Sequence, residues 1–323
     1  MINSMITLPN RYMLPMAAPQ DYDFFSAFQY PLGLLRITVD KAYGFAQGEK
    51  RASAVKKLFK KITRAAPDCY AQVEVGGEQA WKTKTKDNDV EPAWGETHDF
   101  VVSDWSQVVK IDVEDQDVDQ DDEIGVAATT VRSLLAAEDK SQELDLMKDG
   151  QSTGGKVVIE AQFFEFAPET LSFSASEHEG DGFACGLATT LVGAAFDIPG
   201  ERKPLKPSVK VKWGSDKKRH FQTAIKQDAP GMDMNNPDFS QSFRVLFTPD
   251  LVSSGEAFKI ELLNCEKVVG QAEVPFRDVQ AAEKLTLHGL FDVGGGAKVK
   301  ASFCLQGVKP GGVPQTALPS RGK

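Results

Sequence analysis

The chain has 323 residues, 41% of them apolar and 26% charged, with a formal net charge of −9 at pH 7. This is enough chain for about two domains with proper cores, and the composition is that of a globular protein. The acidic balance argues against nucleic acid as a partner, and no run of about 18 apolar residues offers a membrane span.

In chain order, Ile2, Met5, Ile6 and Leu8 form a short apolar run that Pro9-Asn10-Arg11 breaks. From residue 31 to 165, strand patterns recur at short spacing with turn residues between, which argues an all-β sandwich. One stretch interrupts it. Between 49 and 64, Lys50, Arg51, Lys56, Lys57, Lys60, Lys61 and Arg64 surround Val55, Leu58, Phe59 and Ile62. Those apolar residues follow i, i+3, i+4, i+7 spacing, so a short basic amphipathic helix is expected. Its stripe either docks on the sandwich or lies in a membrane interface. Further on, Lys82, Lys84 and Lys86 alternate, which places all three on one strand face, either a plain wet face or an anion contact.

Val109, Ile111 and Val113 alternate with polar residues, the mark of a half-buried strand. Eight acidic residues then fall within positions 112–123, closed by Ile124-Gly125. Like charges this close repel unless a cation neutralises them, and carboxylates on a loop suit Ca²⁺, which takes about 6–8 oxygens. A solvated acidic loop is the plain alternative. An EF-hand is excluded: with Asp115, Asp117 and Asp119 as its first ligands, Gln120 replaces the turn glycine and Val126 replaces the closing glutamate. Two readings stay open: the solvated loop, and a Ca²⁺ site at the tip of a sandwich, with ligands at Asp115, Asp117 and Asp122.

After this loop, residues 131–135 read as a short helical turn, 143–146 and 156–161 as late strands, and 151–155 as the loop between them. Residues 168–308 look like a second copy of the same fold. The tail at 309–323 is rich in proline and glycine and is expected to be disordered.

The segment from Val113 to Gly125 resembles the third calcium-binding loop of a C2 domain, with its Asp-x-Asp, short gap, Asp, and glycine. Residues 31–39 resemble the first C2 strand, and 67–73, with Pro67-Asp68-Cys69-Tyr70, the family's Ser-Asp-Pro-Tyr segment. Residues 81–86 and 91–96 resemble the lysine strand and the Asn-Pro-x-Trp turn that follow it. The resemblance implies two tandem eight-stranded antiparallel β-sandwiches, all-β and C2-like, the first carrying the basic helical insertion. It adds Asp68 as a ligand from the first calcium loop, giving Asp68, Asp115, Asp117 and Asp122. The acidic loop is one residue shorter than the commonest form, so Asp121 competes with Asp122 as the third ligand; spacing to Gly125 favours Asp122. In the second copy Lys206, Asn264 and Glu266 stand at ligand positions. An ammonium there opposes Ca²⁺, so calcium is expected in the first domain only.

Beside these matches, residues 6–15 resemble the end of the lipid-binding module that precedes the C2 domains of extended synaptotagmins and tricalbins. The expected divisions are therefore 1–29 for that module's end, 30–167 and 168–308 for two C2 domains, and 309–323 for the tail. The chain is expected to be part of a longer protein. The resemblance implies calcium-regulated peripheral binding to anionic phospholipid membranes, in the cytoplasm and at endoplasmic reticulum–plasma membrane contacts. Lipid contacts would be Lys56, Lys57, Leu58, Phe59, Lys60, Lys61, Lys82, Lys84 and Lys86. The alternative is a calcium-independent scaffold for protein partners. Four histidines and four scattered cysteines show no metal or nucleophile spacing, and no GK[ST] follows the glycines at 294–296, so no enzyme is expected.

Overall fold

The computed structural model describes residues 31–44, 66–77, 79–117, 120–137, 139, 141–167, 184–199, 205–214, 220–227, 233–249 and 255–311. The expected basic helix at 49–64, with Lys56, Lys57, Leu58, Phe59, Lys60 and Lys61, lies outside these residues, as do the N-terminal segment and the tail from 312. The chain falls into two compact units, divided at Glu165 and Phe166.

The first unit is a sandwich of eight strands: β1 (Gly33–Tyr43), β2 (Cys69–Val75), β3 (Gln79–Lys82), β4 (Ala93–Val102), β5 (Val108–Asp115), β6 (Asp122–Thr130), β7 (Ser141–Lys148) and β8 (Gln151–Ala167). Pairing is antiparallel throughout. One sheet runs β4-β1-β8-β7 and the other β3-β2-β5-β6, with β6 and β7 touching at Val126 and Met147. The expected alternation produces the core. Ile37, Val39, Val73, Val75, Val109, Ile111 and Val113 are all fully buried, each contributing about 1.5–3 kcal/mol of apolar burial. The short helix α1 (Val131–Ala136) starts where the Thr130 side chain accepts from Ser133 N, a capping contact that satisfies an otherwise orphaned donor.

Two local expectations are corrected. The β7–β8 turn is Asp149-Gly150, both at positive φ, the backbone a two-residue hairpin requires; residues 151–155 already belong to β8. Strand β3 ends at Lys82, so alternation does not run on to Lys84 and Lys86. The cause is Thr83. Its N–H donates to Ala71 O at 2.9 Å, while its hydroxyl, not its carbonyl, accepts from Ala71 N at 3.0 Å. With the side chain standing in for the backbone acceptor, the ladder breaks and resumes at Lys86, paired with Cys69.

The second unit repeats the plan with β9 (Gly186–Phe196), β10 (Pro207–Trp213), β11 (His220–Gln222), β12 (Asp238–Phe247), β13 (Ala257–Asn264), β14 (Lys267–Pro275), the helix α2 (Phe276–Ala281), β15 (Thr286–Gly294) and β16 (Ala297–Pro310). Its sheets run β12-β9-β16-β15 and β11-β10-β13-β14. Correspondence extends to single residues. Gly33 and Gly186 open the first strand of each unit, and a Cβ on either would meet backbone and a phenylalanine ring within 2.5 Å. Thr223 repeats Thr83, its hydroxyl accepting from Val209 N at 2.9 Å. Trp81 stacks on His98 in the first unit at 5.2 Å between centroids; Phe221 stacks on Phe243 in the second at the same separation.

Candidate functional site

Strand β2 begins at Cys69, and β5 ends at Asp115 directly opposite it. Asp115 in turn pairs with Asp122, the first residue of β6. That register gathers the four predicted ligands at one end of the first sandwich. Asp68 N donates to Asp115 Oδ1 at 2.8 Å, and Asp68 O accepts from Gln116 N at 2.8 Å. Asp68 Oδ1 accepts from Asn88 N at 2.7 Å, which brings the turn between β3 and β4 to the same rim. Asp115 is only 7% exposed, a buried carboxylate held by a backbone donor, as a buried charge must be. Asp117 follows two residues on, and directly opposed strand residues such as Asp115 and Asp122 lie about 4.5–5.5 Å apart at Cα. The donors are hard oxygens at one edge, the chemistry calcium takes. Among the described residues, no three acidic, histidine or cysteine side chains converge closely enough to hold an ion.

Asp121 has a different environment from Asp122. Its Oδ1 accepts from Asp117 N at 3.0 Å, and its Oδ2 lies 2.7 Å from Tyr70 Oη. The same phenol lies 2.6 Å from Glu114 Oε2, and the Lys82 ammonium sits 4.4 Å from the centroid of its ring. Burial, helped by these two carboxylates, drives the Tyr70 phenol pKa far above its usual value; the bond from Tyr70 and that from Asp117 N hold Asp121 below the usual carboxylate range. Tyr70 and Asn88 are parts of this end of the sandwich that the sequence pattern does not announce. Only the β2–β5 register reveals the first. The Asp87-Asn88-Asp89 turn, with Asn88 at positive φ, was a legible hint of the second.

The three expected lysines do not form a row. Lys82 lies over Tyr70, opposite Gln72. Lys84 is exposed beyond the strand end, its N–H donating to Glu96 Oε1 at 3.1 Å. Lys86 is half-buried beside Cys69 and Asp68. Around Lys82 the outer face of the sheet is dominated by carboxylates. Asp112 takes up Lys110 at 2.9 Å, and Glu74, Glu114 and Asp121 stand near.

The second sandwich keeps the frame and changes the chemistry. Lys206 N donates to Asn264 Oδ1 at 2.8 Å, and Cys265 N donates to Lys206 O at 3.2 Å. These are the bonds of Asp68 with Asp115 and Gln116, so Lys206 stands where Asp68 does and Asn264 where Asp115 does. Between Asn264 and Lys267 only Cys265 and Glu266 remain, both at positive φ, a tight hairpin in place of the acidic loop.

Two eight-stranded antiparallel sandwiches of one topology, with a carboxylate rim on the first, define a tandem C2 protein. A C2-domain profile matches residues 33–146 and 188–289, and the chain belongs to the C2-domain family. It is 23% identical over 302 residues to extended synaptotagmin-1 of Mus musculus, which covers 90% of this chain and 26% of that protein. It is 32% identical over 126 residues to extended synaptotagmin-3 of Xenopus tropicalis, covering 39% of this chain and 13% of that one. The chain therefore spans about a quarter or less of these relatives. Its fold matches the calcium-bound structure of two C2 domains, A and B, of extended synaptotagmin 2, with a TM-score of 0.70 at 18% identity over 88% of this chain and 100% of that one. Among the described residues no helix is long and apolar enough to cross a membrane.

Proposed function

We propose that this chain is a calcium-regulated module for peripheral binding to anionic phospholipid membranes, acting on the cytoplasmic side and at membrane contacts, with no catalytic role. The observation that supports this most directly is the register that sets Cys69 opposite Asp115 and Asp115 opposite Asp122, which brings the carboxylates of Asp68, Asp115 and Asp122, from segments far apart in sequence, to one end of the sandwich. The matching positions of the second unit hold Lys206 and Asn264. Asp68, Asp115, Asp117 and Asp122 would hold the ion. Bound there, Ca²⁺ would neutralise the rim and leave coordination positions that a lipid phosphate oxygen can fill. Without it, the rim repels an anionic surface. The basic segment at 49–64 supplies a calcium-independent attraction, with about 1 kcal/mol for each basic residue near anionic lipid. In the second unit, Lys206 puts an ammonium at a ligand position, which argues for calcium in the first unit only.

Liposome co-sedimentation with and without Ca²⁺ tests the reading. Asp115→Asn with Asp117→Asn is expected to remove the calcium-dependent increment while calcium-free binding persists. A full increment in the double variant refutes the site. A second reading, a scaffold for protein partners, draws support from the carboxylates around Lys82, which disfavour anionic headgroups on that face. Failure to bind phosphatidylserine vesicles at moderate salt, with or without Ca²⁺, would favour it.

A further inference from the structure

The phenol of Tyr70 has one hydrogen and two carboxylates within reach, Glu114 Oε2 at 2.6 Å and Asp121 Oδ2 at 2.7 Å. The Asp117 N–H fixes the other Asp121 oxygen at 3.0 Å. Both oxygens of Asp121 are thereby engaged. Asp122, the next residue, begins β6 opposite Asp115. Asp121 lies one residue before that strand, and with one oxygen on Tyr70 and the other on the Asp117 amide its carboxylate is turned to Tyr70 and not to the rim that Asp115 and Asp122 share.

The second sandwich supplies an internal control. Cys69 and Pro207 occupy matching positions, opposite Asp115 and Asn264. One residue on, Tyr70 is therefore matched by Ser208; its partner Glu114 is matched by Leu263, and Lys82 by Gln222. Gln222 Nε2 donates to Ser208 Oγ at 2.9 Å, in the place where Lys82 covers Tyr70. The phenol, the glutamate and the covering ammonium are all absent from the unit whose acidic loop is reduced to a two-residue turn. Within this one chain, the trio and the acidic loop occur together.

We propose that Tyr70 is a positioning residue of the acidic loop: by holding the Asp121 carboxylate on the outer face of the sheet, it assigns Asp122, not its neighbour, to the cation rim. This deepens, and rests on, the calcium reading above. Tyr70 itself touches no ion. Its role is to decide which of two adjacent carboxylates is offered.

Two measurements on the full chain test this. In calcium-free buffer, Tyr70→Phe should speed hydrogen exchange at the Asp117 amide by about tenfold or more, because Asp121 is no longer tethered as its acceptor. Exchange left unchanged overturns the proposal, whatever the protein's affinity for calcium. The second measurement is calcium titration by calorimetry, with terbium luminescence as a parallel probe. With Tyr70 present, Asp122→Asn should weaken binding about tenfold or more and Asp121→Asn less than about twofold, as expected when one ligand charge is lost and the other was not a ligand. With Tyr70→Phe the two penalties should draw together. Equal penalties in the presence of Tyr70, or a ratio untouched by Tyr70→Phe, overturn the assignment. No binding by the parent chain refutes the calcium reading and the assignment of Asp122 with it; the exchange result still decides whether Tyr70 holds the loop. The phenylalanine keeps the aromatic ring, and an unaltered circular dichroism spectrum confirms that the fold survives.

Discussion

Replacing Thr83 by valine should cost far more than the loss of a surface hydroxyl. The Thr83 side chain is 3% exposed and Ala71 is fully buried, so the Ala71 N–H has no solvent to turn to when its 3.0 Å acceptor is removed. An orphaned buried donor costs about 1–3 kcal/mol. In a domain of this size, each kcal/mol lowers the melting midpoint by about 2–8 °C. Thr83→Ser keeps the acceptor and loses one methyl, about 0.8 kcal/mol at most. The second unit carries the same device, so Thr223→Val should cost a similar amount through the Val209 N–H. The assay is urea unfolding of each variant, with hydrogen exchange at the Ala71 and Val209 amides as the local reading. The second unit's single tryptophan, Trp213, and the first unit's three report the two sandwiches separately after Trp→Phe replacement in the other. A valine variant as stable as the serine one, with slow exchange at Ala71 retained, would refute the argument that the hydroxyl replaces a ladder carbonyl.

Gly33→Ala should destabilise the first sandwich by about 1–3 kcal/mol or more, because the new Cβ would lie 2.1 Å from Phe164 O and 2.4 Å from the Phe163 ring; thermal melting measures it. His98 is held below its usual pKa by burial against Trp81, with Asp99 pulling it partly back. The folded state then binds fewer protons than the unfolded one between its lowered pKa and about 6.5, so stability falls as pH drops through that window. His98→Phe, which copies Phe243, should flatten the dependence, and urea midpoints between pH 5 and pH 7.5 check it. Leu58→Glu with Phe59→Glu should weaken calcium-free liposome binding; an unchanged bound fraction would return that segment to a purely structural role.

Alternation at Val109, Ile111 and Val113 announced β5, and the repeat of the whole sandwich was visible once the first copy was read. Which carboxylates meet was less accessible. Asp68 and Asp115 are far apart in the chain, and only the family resemblance suggested joining them. The pairing of Tyr70 with Glu114 follows from register, which a single strand's pattern does not carry. The failed alternation at Lys82 to Lys86 has a concrete source: a threonine hydroxyl can replace a backbone acceptor, and nothing in the residue types Lys-Thr-Lys-Thr-Lys says which threonine will do so. At the β7–β8 connection the Asp149-Gly150 pair was the stronger turn signal, outweighed in the sequence reading by the glycines that follow it.

The backbone bond shared by Asp68 with Asp115 and by Lys206 with Asn264 has a consequence for how such proteins diversify. In both sandwiches a side-chain oxygen receives the amide that closes the end of the sheet, and an uncharged carboxamide does this as well as an acid. Architecture and ion chemistry are therefore separable at that position. Exchanging a few tip residues and resizing one hairpin changes the charge at the end of one sandwich while the strands beneath keep their register.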